Sequence, residues 1–251
     1  MGLLIFIFLN FFRGLKMIND YAAQYEEESA VMAYYDIVKH NNDSEDKGID
    51  FNVFTALKSL LPNVKNKVVL DIGCGDGRWL AYLSKQGAIK CYGIDNSPAM
   101  MRKAKQTSLH NIFFTQGDMQ NLPYSSNCFD FILSTFSLMY FDIQNLETIA
   151  SEINRTLKKS GFFIAAINLM SGEMALKNQP IPLELGLNKH KFNISNLYQS
   201  EDMYDCAFSS LNKRKILYFN PEGVLIQKDF AKKHSNLKLS KAIIIYEKRE
   251  R

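Results

Sequence analysis

Hydrophobic and polar positions follow two different periods along the chain. Residues 20–38 carry four tyrosines among Ala and Glu, and residues 51–61 space Phe and Leu three or four positions apart, so both stretches predict helices. Beyond Pro62, short apolar runs alternate with helical patterns. The runs predict buried strands at residues 67–72, 90–95, 111–118, 129–135 and 162–167, with helices at residues 78–87, 97–106 and 146–157 between them.

This alternation of strand and helix predicts an α/β protein with a doubly wound, mostly parallel sheet. Two more β-like runs, at residues 214–219 and 242–247, lie near the end of the chain. Residues 170–212 lack a clear period, so we expect an irregular insertion, and a long insertion between strands is more often functional than idle.

The first sixteen residues form a separate segment. The run LLIFIFLNFF at residues 3–12 is about half the length of a membrane-spanning helix. Its positive charges follow the run, and no small-residue cleavage site comes after it, which is unlike a secretory signal. It is a surface anchor, a packed core segment or a non-native leader upstream of Met17, and we favour the leader.

Composition excludes several protein classes. Of the 251 residues, 47% are apolar and 22% are charged, which excludes a mainly disordered chain. The four cysteines, at positions 74, 91, 128 and 206, form no CxxC pair, so we expect a reducing, cytoplasmic location and neither a disulfide scaffold nor a metal site. The net charge of +4 is too small to predict nucleic-acid binding.

The densest motif follows the first predicted strand. It reads VLDIGCGDG and places Gly73, Gly75 and Gly77 at alternate positions, where the backbone can turn tightly and approach a ligand. The dinucleotide fingerprint fails because position 78 is Arg, and no Walker-type Gly-Lys-Ser/Thr follows. Asp95 ends the second predicted strand, where a carboxylate can accept both hydroxyls of a ribose.

The segments VLDIGCGDG, YGID and QGDMQNLPY together resemble the class I S-adenosylmethionine-dependent methyltransferases. The resemblance covers residues 68–167 and extends more loosely to the C-terminus, where residues 202–223 are distantly similar to small-molecule methyltransferases of the toxoflavin synthase group. It implies a seven-stranded, Rossmann-like sheet whose last strand is antiparallel. It also implies an N-terminal helical lid at residues 17–62, and a methyltransferase core at residues 63–251 whose insertion, residues 170–212, covers the substrate.

The resemblance assigns S-adenosyl-L-methionine as cofactor and gives a role to individual residues. The glycine loop and Asp71 would hold the methionine part, Asp95 the ribose, and Asp118 the adenine amine. The other implied contacts are Tyr21 and Tyr25 on the lid, Asn96, Met100 and Met119 near the adenine, and Ser134 and Thr135 on the methyl-transfer side. Each has a plainer interpretation: a turn or helix-terminal acid for the aspartates, and packing for Tyr21, Tyr25 and Met100.

No general base is evident in the sequence. The candidates are Tyr140, just beyond the fourth strand, and His190, inside the insertion. A surface histidine is the plainer interpretation of His190.

The favoured function is methyl transfer to a small molecule by in-line displacement. A protein or RNA acceptor and a non-catalytic cofactor-binding scaffold remain alternatives, and the missing third glycine disfavours a nicotinamide oxidoreductase. We expect neither a nucleic-acid partner nor stable membrane insertion, and the acceptor atom and oligomeric state stay open.

Overall fold

A computed structural model describes residues 49–169, 181–187, 190–196, 199–220, 223–227 and 241–250. The predicted leader and most of the predicted lid, with Tyr21 and Tyr25, lie outside the described residues. The helices of the described part are α1 (Ile49–Leu60), α2 (Arg78–Lys85), α3 (Pro98–Ala104), α4 (Ile143–Thr156) and α5 (Glu201–Ala207). The strands are β1 (Val68–Ile72), β2 (Lys90–Asp95), β3 (Ile112–Gln116), β4 (Phe129–Thr135), β5 (Leu157–Asn168), β6 (Ile181–Leu187), β7 (His190–Asn196), β8 (Leu211–Phe219), β9 (Leu225–Ile226) and β10 (Lys241–Lys248).

The main sheet has the order β3-β2-β1-β4-β5-β10-β8-β9. Strands β1 to β5 pair in parallel, whereas β10 runs antiparallel to both β5 and β8. The doubly wound, mostly parallel sheet with an antiparallel closing strand is therefore confirmed. The eighth strand of the described sheet is the two-residue β9, which pairs with the edge of β8 and extends the predicted seven.

The insertion is more regular than we expected. Strands β6 and β7 pair antiparallel along their full lengths as a separate two-stranded sheet, and α5 follows them. The signal for β6 is the alternation of Ile181, Leu183, Leu185 and Leu187 with other residue types, a period of two that Pro182 and Gly186 obscure. The expectation of an irregular segment was wrong at these residues.

Three of the helices begin at a side-chain cap. Ser97 Oγ accepts a hydrogen bond from Met100 N at 3.2 Å, with Pro98 at the first helical position of α3. Asp142 caps α4 in the same way through Asn145 N at 2.9 Å. Because each cap is local, the start of each helix is fixed by its own sequence.

Apolar side chains cover both faces of the sheet. Along β1, Val69 belongs to the layer that includes Leu57, Trp79 and Leu80, whereas Leu70 belongs to the opposite layer. That opposite layer is formed largely by side chains of α4, α5 and the strands that they cover. Both layers are buried along β1 from Val69 onward, as expected for a parallel sheet with helices on both sides. None of the helices in the described part combines the length and apolarity needed to cross a bilayer.

Strand β5 contains a large irregularity near its start. Phe129 pairs with Leu157 and Phe131 with Phe162, so residues 158–161 of β5 lie opposite Asp130 alone. Lys158 Nζ holds the bulged segment by donating to Asp130 Oδ2 at 2.8 Å. Strand β5 therefore begins at Leu157, five residues earlier than the apolar run at residues 162–167 indicates.

Close packing of β2 against α2 requires a glycine at position 93. A Cβ there would lie 2.5 Å from Leu80 Cδ1 and 2.8 Å from Cys74 Sγ, both buried atoms. We expect Gly93→Ala to destabilise the protein by about 1–3 kcal/mol through overpacking, measurable in chemical denaturation. Gly117→Ala is the matched control. Its added Cβ would come closer than 3.4 Å to a single atom, Ile94 Cδ1, at 3.1 Å. Equal stability of the two variants would contradict the packing argument.

Candidate cofactor-binding site

The glycine loop connects β1 to α2 at the edge of the sheet where the parallel strands end. Gly73, Gly75 and Gly77 all have left-handed backbones, with φ of 67°, 54° and 78°. Gly73 N and Cys74 N both donate to Ile94 O, at 2.8 and 3.1 Å, so the loop folds back onto the neighbouring strand β2. These conformations are costly for any residue with a Cβ, which explains why glycine occupies these positions.

The loop is tightly packed at both ends and open in the middle. A Cβ at position 73 would lie 2.3 Å from Ser137 Cβ, and one at position 77 would lie 2.6 Å from Phe114 Cζ. At position 75, by contrast, the nearest atom that a Cβ would meet is Met100 Sδ, at 3.9 Å. The middle of the loop therefore presents bare backbone to a space that a ligand can enter.

Asp95 joins this loop to the start of α3. Its Oδ2 accepts from Gly75 N and its Oδ1 accepts from Ser97 N, both at 2.9 Å. Burial raises the pKa of Asp95, and the two backbone hydrogen bonds oppose that rise. Each carboxylate oxygen keeps a second lone pair, so the group can accept further hydrogen bonds while it holds the loop.

Asp71 lies on β1 directly beneath the loop and is fully buried. Neither of its carboxylate oxygens has a hydrogen-bond partner among the described residues. Burial raises the pKa of Asp71 well above its usual range, and repulsion from Asp95 and Asp76 raises it further. The neighbouring Asp76 is instead paired with Arg78, with Nε–Oδ1 at 2.9 Å. The ionised form of Asp71 is thus costly in the ligand-free protein, and a ligand that brings a positive charge or hydrogen-bond donors would stabilise it.

The predicted adenine contacts lie beside Asp95. Gly117 N donates to Asp95 O at 3.0 Å, which brings the ends of β2 and β3 together. Asp118 follows immediately and is exposed, and its Oδ1 accepts from Gln120 N at 2.8 Å, the geometry of a turn aspartate. Asn96 is exposed, whereas Met100 is buried and lies below the open middle of the loop. Met119 is half-buried, and its Cε is 3.2 Å from the position of a Cβ at residue 73.

Ser134 is fully buried and supports the loop from below. Its Oγ lies 2.6 Å from Ser137 Oγ, which in turn donates to Ile72 O at 3.1 Å. Ser137 is a residue that the sequence analysis missed, because a single serine beyond a strand carries no motif. Only its position under Gly73 shows that it contacts the loop.

The segment after β4 is held in an unusual conformation. Phe136 has a φ of 53°, uncommon for a bulky residue, and its N–H donates to Ala166 O at 2.8 Å. Gln199 Nε2 donates to the carbonyls of Leu138 and Phe141, at 2.9 and 2.6 Å. Tyr204, on α5, donates its hydroxyl to Gln199 Oε1. This second set of contacts, also absent from any sequence motif, fixes the segment that carries Tyr140.

The two candidate bases, Tyr140 and His190, differ in how much of each residue the structure describes. Tyr140 is half-buried at the end of a single 3-10 turn, Leu138–Tyr140. His190 begins β7, and its side chain lies outside the described part. Strand β7 lies near the 3-10 turn, so the insertion and the segment after β4 are neighbours. No three His, Cys, Asp or Glu side chains cluster as metal ligands within the described ranges.

Comparison with known proteins agrees with this geometry. A methyltransferase domain model matches residues 69–161, from β1 into β5. An uncharacterised methyltransferase of Synechocystis is 31% identical over 119 residues, which cover 47% of this chain and 55% of the relative. A demethylmenaquinone methyltransferase of Staphylococcus saprophyticus is 34% identical over 107 residues, covering 41% and 45%. The chain therefore spans about half the length of these relatives.

Solved methyltransferase structures share this fold. An S-adenosylmethionine-dependent methyltransferase of Mesorhizobium loti superposes with a TM-score of 0.58 at 15% identity, over 81% of this chain and 99% of the other. At that identity the likeness concerns the fold alone. Residues 69–161 thus match a methyltransferase domain, and the fold around them is one that solved S-adenosylmethionine-dependent methyltransferases share.

Proposed function

We propose that the protein transfers a methyl group from S-adenosylmethionine to a small-molecule acceptor by in-line displacement. The observation that carries the proposal is the combination of an open glycine loop with two carboxylates around it. Asp95 is held by two backbone amides, and Asp71 is buried with no partner among the described residues. A ligand with an ammonium group and adjacent ribose hydroxyls would complement both.

The residues present fit this cofactor. Asp71 would hold the amino group directly or through a water, and the remaining lone pairs of Asp95 would accept from the ribose hydroxyls. Asp118, Asn96 and Met119 would flank the adenine at the ends of β2 and β3. These contacts follow from the chemistry of the residues and from the resemblance, and substitutions at Asp95, Asp71 and Gly75 test them.

The bound cofactor supplies an activated methyl group on a sulfonium, so the acceptor's lone pair forms the new bond while the carbon–sulfur electrons return to sulfur. The protein's task is to align the acceptor, exclude water and give any released proton a path. Tyr140 and His190 remain candidates to orient an acceptor or take that proton. An acceptor that is already nucleophilic needs no strong base.

The preference for a small acceptor rests on two observations. Several relatives with a named activity, among them the Staphylococcus saprophyticus protein, are demethylmenaquinone methyltransferases, which points toward a small molecule. The nearness of β7 to the 3-10 turn also favours an enclosed acceptor site beneath the insertion.

All four cysteines are free thiols, which supports the proposed cytoplasmic location.

A turnover experiment separates the three functions. The protein is mixed with S-adenosylmethionine and with a cell extract that has been separated by size into low-mass and macromolecular fractions. Formation of S-adenosylhomocysteine is then measured with each fraction as the source of acceptor. Turnover with the low-mass fraction supports a small acceptor. Turnover confined to the macromolecular fraction would favour a protein or RNA acceptor. Cofactor binding without turnover in any fraction would favour a scaffold.

Cofactor binding should depend on Asp95. We expect Asp95→Asn to weaken S-adenosylmethionine binding by about 10- to 100-fold, since charge-assisted hydrogen bonds contribute about 1.5–3 kcal/mol. Isothermal titration calorimetry with the cofactor, its demethylated product and NAD measures the effect. Glu147→Gln, an exposed carboxylate change on α4, is the control and should bind normally. Binding of NAD, or unchanged affinity in Asp95→Asn, would contradict the proposed site.

Asp71 should lower stability while it supports binding. Folding raises the pKa of Asp71, so the folded protein holds the Asp71 proton more tightly than the unfolded chain does. The resulting gain in the free energy of unfolding is fully present below the unfolded pKa of about 4 and is lost as pH rises toward the folded pKa. At high pH the buried carboxylate is ionised and its cost remains. We expect Asp71→Asn to raise the melting temperature of the ligand-free protein by a few degrees at pH 8, with a smaller gain at pH 5. The same variant should bind S-adenosylmethionine more weakly. Lower stability at both pH values would refute the argument.

The glycine loop offers a matched pair of substitutions. Gly75→Ala would place its methyl group in open space, so we expect loss of cofactor binding with a stability cost of about 1–2 kcal/mol for the left-handed backbone. Gly73→Ala has the same backbone cost plus the clash with Ser137, and should be the less stable variant. Thermal unfolding with and without S-adenosylmethionine compares them. Normal cofactor binding by Gly75→Ala would show that the ligand does not use the open middle of the loop.

A further inference from the structure

A cavity separate from the glycine loop opens at the edge of the sheet where the parallel strands begin. Its volume is about 370 Å³, within the range of small-ligand pockets. It is lined by Asn127, Asn154, Lys159, Ser210, Lys248 and Arg249. Three cationic side chains and three neutral polar ones thus surround it, and none of these lining residues is acidic.

The topology explains why these residues meet. Asn127 precedes β4, Lys159 lies in the bulge near the start of β5, and Ser210 precedes β8. Lys248 ends β10, which runs antiparallel to its neighbours and so finishes at the edge where they begin. The glycine loop lies where β1 ends, about a strand length of 15 Å away. The cavity is therefore separate from the proposed cofactor site.

Among the described residues, the hydrogen-bond partners of the cavity's cations are all neutral. Lys248 Nζ donates to Asn127 Oδ1 at 2.8 Å and to Leu157 O at 2.7 Å. Arg249 donates to Asn212 Oδ1 and Ser209 O, at 3.1 and 3.0 Å. Lys159 makes no hydrogen bond or ion pair with any residue of the described part. Lys248 keeps a third donor and Arg249 keeps unused guanidinium donors for a ligand.

Other cations nearby are neutralised. Lys158, next to Lys159, pairs with Asp130 at 2.8 Å, and Arg155 pairs with Glu152 at 2.7 Å. The acid that follows Arg249 in sequence, Glu250, accepts from Ser160 Oγ at 2.6 Å. Burial lowers the pKa of Lys248, and repulsion from Lys159 lowers it further, as expected for like charges in one cavity.

We propose that this cavity binds a phosphate-bearing small molecule. Its three cations converge on one concave space, and an anion with several oxygens would satisfy their unused donors at once. The volume exceeds that of a single phosphate, which favours a larger phosphorylated ligand such as a nucleotide. The proposal does not depend on methyl transfer, because none of the cavity residues belongs to the cofactor site.

Pyrophosphate is the first probe, measured by calorimetry on the full-length protein at low and high sodium chloride, with ATP as the second probe. We expect saturable binding that weakens as ionic strength rises. Lys159→Gln removes a charge with no bonded partner in the described part, so it should leave folding intact and weaken pyrophosphate binding by about tenfold. Lys159→Arg should retain binding. Lys90→Gln, at the start of β2 on the same edge, is the matched control.

Each outcome decides the proposal. Tighter binding of ATP than of pyrophosphate, with the same dependence on Lys159, would identify a nucleotide-type ligand. No saturable binding, or equal affinity in Lys159→Gln and Lys90→Gln, would overturn the site. Tighter binding of a single-stranded RNA oligonucleotide with the same dependence on Lys159 would replace the small ligand with a macromolecule. S-adenosylmethionine binding, measured on the same variants, should be unchanged, so failure of this site is distinguishable from failure of the proposed function.

Discussion

The Asp95 carboxylate is the constraint on which the site depends, because it joins two neighbouring βα units through their backbones. One oxygen accepts from Gly75 in the glycine loop, and the other accepts from Ser97 at the start of α3. The loop is also held to β2 through Ile94 O. Its ligand-facing backbone is therefore positioned before any ligand binds, and binding does not have to order it.

This arrangement concentrates negative charge where it lowers stability. Asp71 is fully buried beneath the loop. Repulsion from the nearby carboxylates of Asp95 and Asp76 adds to the effect of burial, and both raise the pKa of Asp71. Arg78 pairs with Asp76 through two hydrogen bonds, and neither Asp71 oxygen has a hydrogen-bond partner among the described residues. A fold that keeps a buried carboxylate without a partner sacrifices stability, which is common where a ligand completes the site. The charge of the ligand, rather than of the protein, would then balance the loop.

The parts of the structure that follow local rules could be predicted from the sequence. Alternating apolar runs indicated β1 to β5, and Ser97-Pro98 marked the start of α3. Tertiary geometry decided the rest. Ser137 and Gln199 make their contacts across more than 55 residues of sequence, so no local pattern reveals them. The β6–β7 hairpin was missed because proline and glycine interrupt its period of two.

The two edges of the sheet have opposite electrostatic character, and the chain topology produces both. Parallel strands end together at the glycine loop, where carboxylates from β1 and β2 collect. The antiparallel β10 brings Lys248 and Arg249 back to the edge where β5 and β8 begin. The bulge in β5 then projects Lys159 toward them, because residues 158–161 have only Asp130 opposite and must leave the plane of the sheet. A shorter β5, starting at Phe162 as its apolar run suggested, would place no lysine there. The cationic cavity is therefore a consequence of the same irregularity that the sequence pattern concealed.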